Sequence, residues 1–234
     1  MLTDYLMNTQ KNLTEKLNSF YTPSGLHVYV KDPLVNQEID IEDVIGKVED
    51  FVPLHLRSEI EMVIIGWFEE FKEQKINAFY KDGALYISNT VADAESMFDD
   101  AVHEIAHSVE EVYGYMIYGD QNLKKEFLRK RKYLHDMLWQ KGFKAPLNFF
   151  MNSEYDEEFD MFLYKTVGYE KLCSMVEGVF ITAYAPTSLK EYFATGFLEF
   201  YLDSNHNFLK KVSPQLYKKL VILQNEKKLD EHWL

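Results

Sequence analysis

His103 and His107 stand four residues apart in the stretch Ala101-Val-His-Glu-Ile-Ala-His107. On a helix, side chains at that spacing lie on one face, a turn apart, which lets two imidazoles grip one zinc ion. Glu104, beside the first of them, can serve as general base toward a water on that ion. Phe98, Val102, Ile105, Ala106 and Val109 supply apolar residues at helical spacing around the motif, and Asp93 or Ser96 can cap the helix. Two histidines on an ordinary surface helix are the competing reading, so the motif must be weighed by the third ligand the chain can offer.

A catalytic zinc takes three protein ligands and keeps one position open. Continuing the motif as a metzincin would require a glycine three residues after His107 and a histidine six residues after it. The chain has Glu110 and Tyr113 there, so that class is excluded. A carboxylate from a later helix is the natural alternative, and Glu154, Glu157, Glu158, Glu170, Glu177, Glu191 and Glu199 all lie downstream. Glu191 stands out because it opens a strongly apolar helix, where the helix dipole favours an anion. Ala194, Thr195 and Gly196 are small enough to let that helix approach another closely. A first-turn acid on a core helix, with no metal role, would look the same.

The elements that must position these residues are partly legible. Leu2, Leu6, Leu13, Leu17 and Phe20 predict an amphipathic helix over residues 1–20, and Leu26 to Val30 alternates as a strand. Ile39 to Val52 reads as a helix. Met62 to Phe68 reads as a buried strand, with a helix as the rival, followed by a charged turn. Lys81-Asp-Gly83 between Asn77–Tyr80 and Ala84–Ser88 is a hairpin signal. The second hairpin strand leads straight into the metal-binding helix, so it could form the edge of a cleft and pair with an extended peptide; an ordinary hairpin fits as well.

After His107 the chain reads as helical. Gly114 or Gly119 ends the first helix. Asn122 to Lys141 is a helix with Leu123, Phe127, Leu134, Leu138 and Trp139 as its buried stripe, and with the cluster Lys124, Lys125, Arg129 to Lys132 as a solvated face. His135 is a surface or core residue there, not a ligand. A loop around Pro146, an acidic stretch from Glu154 to Phe162 and a helix from Tyr169 to Phe180 follow. Thr182 to Ser188 is a loop, Leu189 to Leu202 a helix capped by Thr187 or Ser188, and Pro214 to about Lys228 a final helix. This order predicts an α+β fold, a small mixed sheet followed by a mostly helical C-terminal half. It is expected to form one domain over residues 1–234, sheet-bearing over about 20–110 and helical over about 111–234.

With 234 residues, 47% of them apolar and 15% aromatic, the chain can bury a sizeable core. A net charge of −13 argues against nucleic acid or an anionic membrane as partner. Cys173 is the sole cysteine, which excludes an intrachain disulfide and a Cys-rich zinc site, and it is expected to be a buried thiol. No basic-then-apolar leader opens the chain and no apolar run is long enough to span a bilayer, so the default compartment is the cytoplasm.

Tyr184-Ala-Pro-Thr-Ser-Leu-Lys-Glu191-Tyr-Phe-Ala194, downstream of the HExxH motif, resembles the anthrax lethal factor-like family of zinc metallopeptidases, which includes lethal factor's catalytic domain and the secreted Pro-Pro endopeptidases. In that family a Tyr precedes the ligand Glu by seven residues, and an aromatic pair and Ala follow it. The Leu85–Ser88 strand is similar in placement. The resemblance implies a zincin-like fold and a gluzincin-type endopeptidase acting on a peptide or protein. One zinc ion would be bound by His103, His107 and Glu191, with Glu104 as base and Tyr184 as oxyanion donor; secretion would follow from the same likeness. A catalytically silent zincin-like binding module and a toxin-like effector protease are the alternatives.

Overall fold

The computed structural model describes residues 18–74, 76–202, 206–227 and 229. It is α+β and divides into two compact units, one reaching to Val109 and the other starting at Glu110. The helix expected over residues 1–20 falls mostly outside the described residues, and its last positions belong instead to a strand, Ser19–Tyr21.

In the first unit five strands form one mixed sheet in the order β1-β2-β3-β5-β4. They are β1 (Ser19–Tyr21), β2 (His27–Val30), β3 (Met62–Gly66), β4 (Ala78–Lys81) and β5 (Ala84–Ser88). β2, β3 and β5 run parallel, while β1 and β4 are antiparallel to their neighbours. Helix α1 (Ile41–Phe51) makes the crossover between β2 and β3, as a parallel pair requires. Asp40 opens it by accepting from the Asp43 N–H at 3.1 Å. Val28, Val63, Ile65, Leu85 and Ile87 share one face of the sheet through the pairing register and are almost wholly buried. Val44, Ile45 and Val48 of α1 are buried too.

Asp82 and Gly83 both have positive φ, 50° and 78°, the two-residue turn that matches strand twist in a tight hairpin. Its consequence for the sheet differs from expectation. β5 lies between β3 and β4, so it has no free edge, and β4 is the outermost strand. Where a charged turn was expected after Phe68, a short helix α2 (Glu69–Gln74) forms. Phe71 anchors it, buried, with its ring 5.6 Å from Phe68 and 5.4 Å from Phe79.

Helix α3 (Ala94–Tyr118) carries the HExxH motif and continues past the unit boundary. Asp93 is its cap, accepting from the Ser96 N–H at 2.8 Å. Met97, Ala101, Val102, Ile105, Ala106 and Val109 are buried, whereas His103, Glu104 and His107 keep part of their surface exposed.

The second unit is helical: α4 (Asn122–Gln140), α5 (Leu147–Phe150), α6 (Glu157–Met161), a π-helical turn Phe162–Val167, α7 (Tyr169–Val176), α8 (Leu189–Leu202), α9 (Asn207–Val212) and α10 (Pro214–Leu223). The expected loop around Pro146 thus contains a helical turn. The helices expected to reach Phe180 and Lys228 stop at Val176 and Leu223. Cys173 is exposed rather than buried, because α7 buries Leu172 and Val176, one turn apart, and the thiol falls outside that phase.

Helix α8 is the centre of this unit. Leu189, Tyr192 to Phe197 and Phe200 are all buried, so the helix is apolar nearly all round. A Cβ at Gly196 would overlap the Leu216 side chain on α10 and come within 3.3 Å of Ile181 Cδ1. Gly→Ala inside a helix normally gains about 1 kcal/mol, but overpacking costs about 1–3 kcal/mol. Gly196→Ala is therefore expected to lower the urea midpoint with an unchanged m-value. A raised midpoint would show that α8 and α10 part without cost.

The basic stretch of α4 is not a uniformly solvated face. Lys130 and Arg131 are buried because they fall on the same helical phase as Leu123, Phe127, Leu134 and Leu138, while Trp139 is half exposed. Lys130 Nζ donates to Ser213 Oγ at 2.8 Å. One turn earlier, buried Glu126 accepts from the Tyr192 hydroxyl at 3.0 Å and from the Gln215 N–H at 2.9 Å, capping α10 from a neighbouring helix. Arg131 donates to the carbonyls of Asn152 and Phe149 and stacks 3.8 Å from the Phe159 ring. His135 Nε2 donates to the Ala145 carbonyl at 3.1 Å and its Nδ1 lies 3.0 Å from Asp136 Oδ1, a packing role. No described helix is long and apolar enough to cross a membrane.

Candidate metal centre

Because α3 buries the opposite phase, its remaining stripe presents His103, Glu104 and His107 toward water. The two imidazole rings lie 5.2 Å apart at 79° to one another, one helical turn separating them. Glu191 is set in the first turn of α8 by local hydrogen bonds. Ser188 Oγ accepts the Glu191 N–H at 3.0 Å, so Ser188 rather than Thr187 is the cap, and the Ser153 carbonyl accepts the Leu189 N–H at 2.8 Å. Arg131, which holds the neighbouring Asn152 carbonyl, thereby steadies the segment that receives this helix start.

One ligand atom from each of His103, His107 and Glu191 can be chosen so that all lie within 4.8 Å of one another. This group can hold a metal ion. Tetrahedral zinc with bonds of about 2.1 Å would space its ligands by about 3.4 Å, below the 4.8 Å that bounds the spacing of these atoms. Two imidazoles and one carboxylate are also a donor set that zinc accepts. Among the described residues, none of the rival acids Glu154, Glu157, Glu158, Glu170, Glu177 and Glu199 belongs to the group.

Glu104 is tied to the sheet. Lys81 and Ala84 close the two-residue hairpin, which leaves the Tyr80 N–H pointing away from β5. That N–H donates to Glu104 Oε2 at 3.1 Å, fixing the carboxylate against the outer strand. Asp100, one turn before His103, was not singled out from sequence, although its spacing from both histidines places it on their face. Burial pushes its carboxyl up to about 6, against the lowering influence of His103 and of a hydrogen bond from Asn77.

Tyr184 opens the turn before α8. Its carbonyl accepts both the Thr187 N–H and the Thr187 hydroxyl at 2.9 Å, which pins the backbone from which the ring projects. Burial first, then the negative charges of Glu191 and Asp160, hold the Tyr184 hydroxyl far above the usual phenol range. It therefore stays protonated, a hydrogen-bond donor, at any physiological pH. A third cluster also escaped the sequence reading: Tyr155 and Tyr169 both donate to Asp160, at 3.1 and 3.3 Å. Its only signal was Tyr155 and Asp160 inside the acidic stretch with Tyr169 beyond it.

Compared with protein-family models, with curated proteins and with solved structures, the chain gives no significant match.

Proposed function

We propose that this chain is a zinc-dependent endopeptidase of the gluzincin type, as its likeness to the lethal factor-like family implies. The observation that carries the reading is that ligand atoms of His103, His107 and Glu191 lie within 4.8 Å of one another, with an acid directly after the first histidine. Zinc held there would supply Lewis acidity and bring the pKa of a water near neutrality. Glu104 would take the proton from that water as it attacks the peptide carbonyl and pass it to the leaving amine. The Tyr80 N–H would keep its carboxylate in register for both transfers. Tyr184 would donate to the oxygen on which negative charge develops.

Purified protein is expected to carry one zinc per chain and to cleave members of a peptide library, with cleavage stopped by a chelator and restored by added zinc. Metal-loaded protein that cleaves nothing would instead be a binding module. Tyr184→Phe is expected to lower kcat about a hundredfold with little change in KM, because the donor acts on the transition state. Steady-state kinetics decide this, and an effect confined to KM would remove Tyr184 from the oxyanion role.

A further inference from the structure

We propose that the cleft between α4, the loop after α7 and the end of α9 binds a small organic phosphate, its oxyanion held by Arg129, Lys130 and Tyr133. None of these residues takes part in the proposed peptidase chemistry. Arg129, Lys130, Tyr133, Gly178, Val179 and Val212 line a cleft of about 400 Å³, a volume typical of small-molecule sites. Two cations and a phenol come from one helix, and no acid is among the lining residues. In a chain of net charge −13 this is a local reversal of sign, and it selects an anion. Val179 and Val212 offer apolar surface to the carbon part of such a ligand.

Lys130 supplies a second, independent observation. A lysine as buried as this one, 8% exposed, ordinarily has a carboxylate partner. Among the described residues its hydrogen bond goes instead to the neutral Ser213 hydroxyl, at 2.8 Å. Nζ lies 4.7 Å from the centre of the Tyr192 ring and 5.4 Å from that of Phe180, faces that attract a cation without neutralising it. Glu126, one turn earlier, is the nearby carboxylate, but its oxygens already accept from the Tyr192 hydroxyl and from the Gln215 and Leu216 N–H groups. Burial, partly offset by Glu126 and reinforced by the like charge of Arg129, pushes the Lys130 amine down to about 7. Phe180 and Ser213 directly follow the lining residues Val179 and Val212, which sets the amine against the cleft. An oxyanion there would provide the counter-charge that Lys130 lacks. A phosphate monoester suits the donor set better than a carboxylate, because it brings nearly two charges and three terminal oxygens to two cations and a hydroxyl.

The test is isothermal titration calorimetry on the full chain at pH 8, with phenyl phosphate compared with phenol. It is run with and without added zinc, since a phosphate can also ligate a metal. Phenyl phosphate is expected to bind at least about tenfold more tightly than phenol, equally well in both conditions, and Arg129→Ala to weaken it by about tenfold or more. Titrations in two buffers of different ionisation heat are expected to show proton uptake on binding, because an anion beside Lys130 favours the charged form of an amine that is mostly neutral at pH 8. Binding no tighter than that of phenol overturns the site, as does binding that depends on zinc. Full affinity in Arg129→Ala, or binding in the wild-type protein without proton uptake, overturns it too. Arg129 is exposed, so its variant is expected to fold, and the proton measurement reads Lys130 without replacing it.

Discussion

Replacing Glu104 with glutamine is expected to leave one zinc per chain in place and to slow peptide cleavage by a factor on the order of 10² to 10⁴. The metal is retained because the three atoms that approach one another belong to His103, His107 and Glu191, and Glu104 is not among them. Fold and position are retained because glutamine is nearly isosteric and its amide oxygen can still accept the Tyr80 N–H now bonded to Glu104 Oε2. The loss is specific to proton transfer, since an amide cannot take a proton from water at neutral pH. Metal content by mass spectrometry, circular dichroism and cleavage kinetics on the same preparation check all three parts. Wild-type rates in the variant would remove Glu104 from the mechanism and the peptidase proposal with it.

Glu191→Ala is expected to weaken zinc binding by more than the 10–100-fold typical of losing an outer partner of a metal ligand, leaving only the two histidines of α3. The helix that carries it is held by the buried side chains of Tyr192 to Phe197 and Phe200, and its cap is the Ser188 hydroxyl. The chain is therefore expected to stay folded. Competition with a chelator of known affinity measures the change, and thermal melting with and without zinc provides a second readout. Binding only N raises stability by RT ln(1 + [L]/Kd), so the zinc-dependent rise in Tm shrinks in the variant. Unchanged affinity would mean that the proximity of Glu191 to the histidines has no bearing on metal binding.

Much of this arrangement could be read from local pattern. The Asp82-Gly83 turn, the helical phase around His103 and the bounds of α8 depend on neighbours within a few residues, where sterics and periodicity decide. The strand order does not. That β5 sits inside the sheet follows from its parallel pairing with β3, a contact between segments whose distance no hairpin spacing reveals. Helix α2 escaped because its six residues hold one large apolar side chain, Phe71, too few to show a period. Lys130 and Arg131 were misread for another reason: their type suggested a solvated face, whereas their phase matched Phe127 and Leu134. Phase prevailed because Ser213 and the carbonyls of Asn152 and Phe149 supply the partners that buried cations require. For the site, the two histidines were visible at once from their spacing. Glu191 could be singled out from its helix start, but only three-dimensional proximity separates it from the other acids.

The bond between Tyr80 and Glu104 has a consequence for how the protein behaves in concentrated solution. Among the described strands β4 is the outermost at its end of the sheet, and an outermost strand is a template on which another chain can pair and start an aggregate. A carboxylate resting on the Tyr80 N–H occupies one of the groups such pairing would use and places a negative charge at the rim. Truncation of Glu104 to alanine would uncover that N–H beside Phe79 and Tyr86, whose rings stack 4.5 Å apart. Such a variant is expected to self-associate where the glutamine variant does not, and its loss of activity would then mix two causes that light scattering can separate.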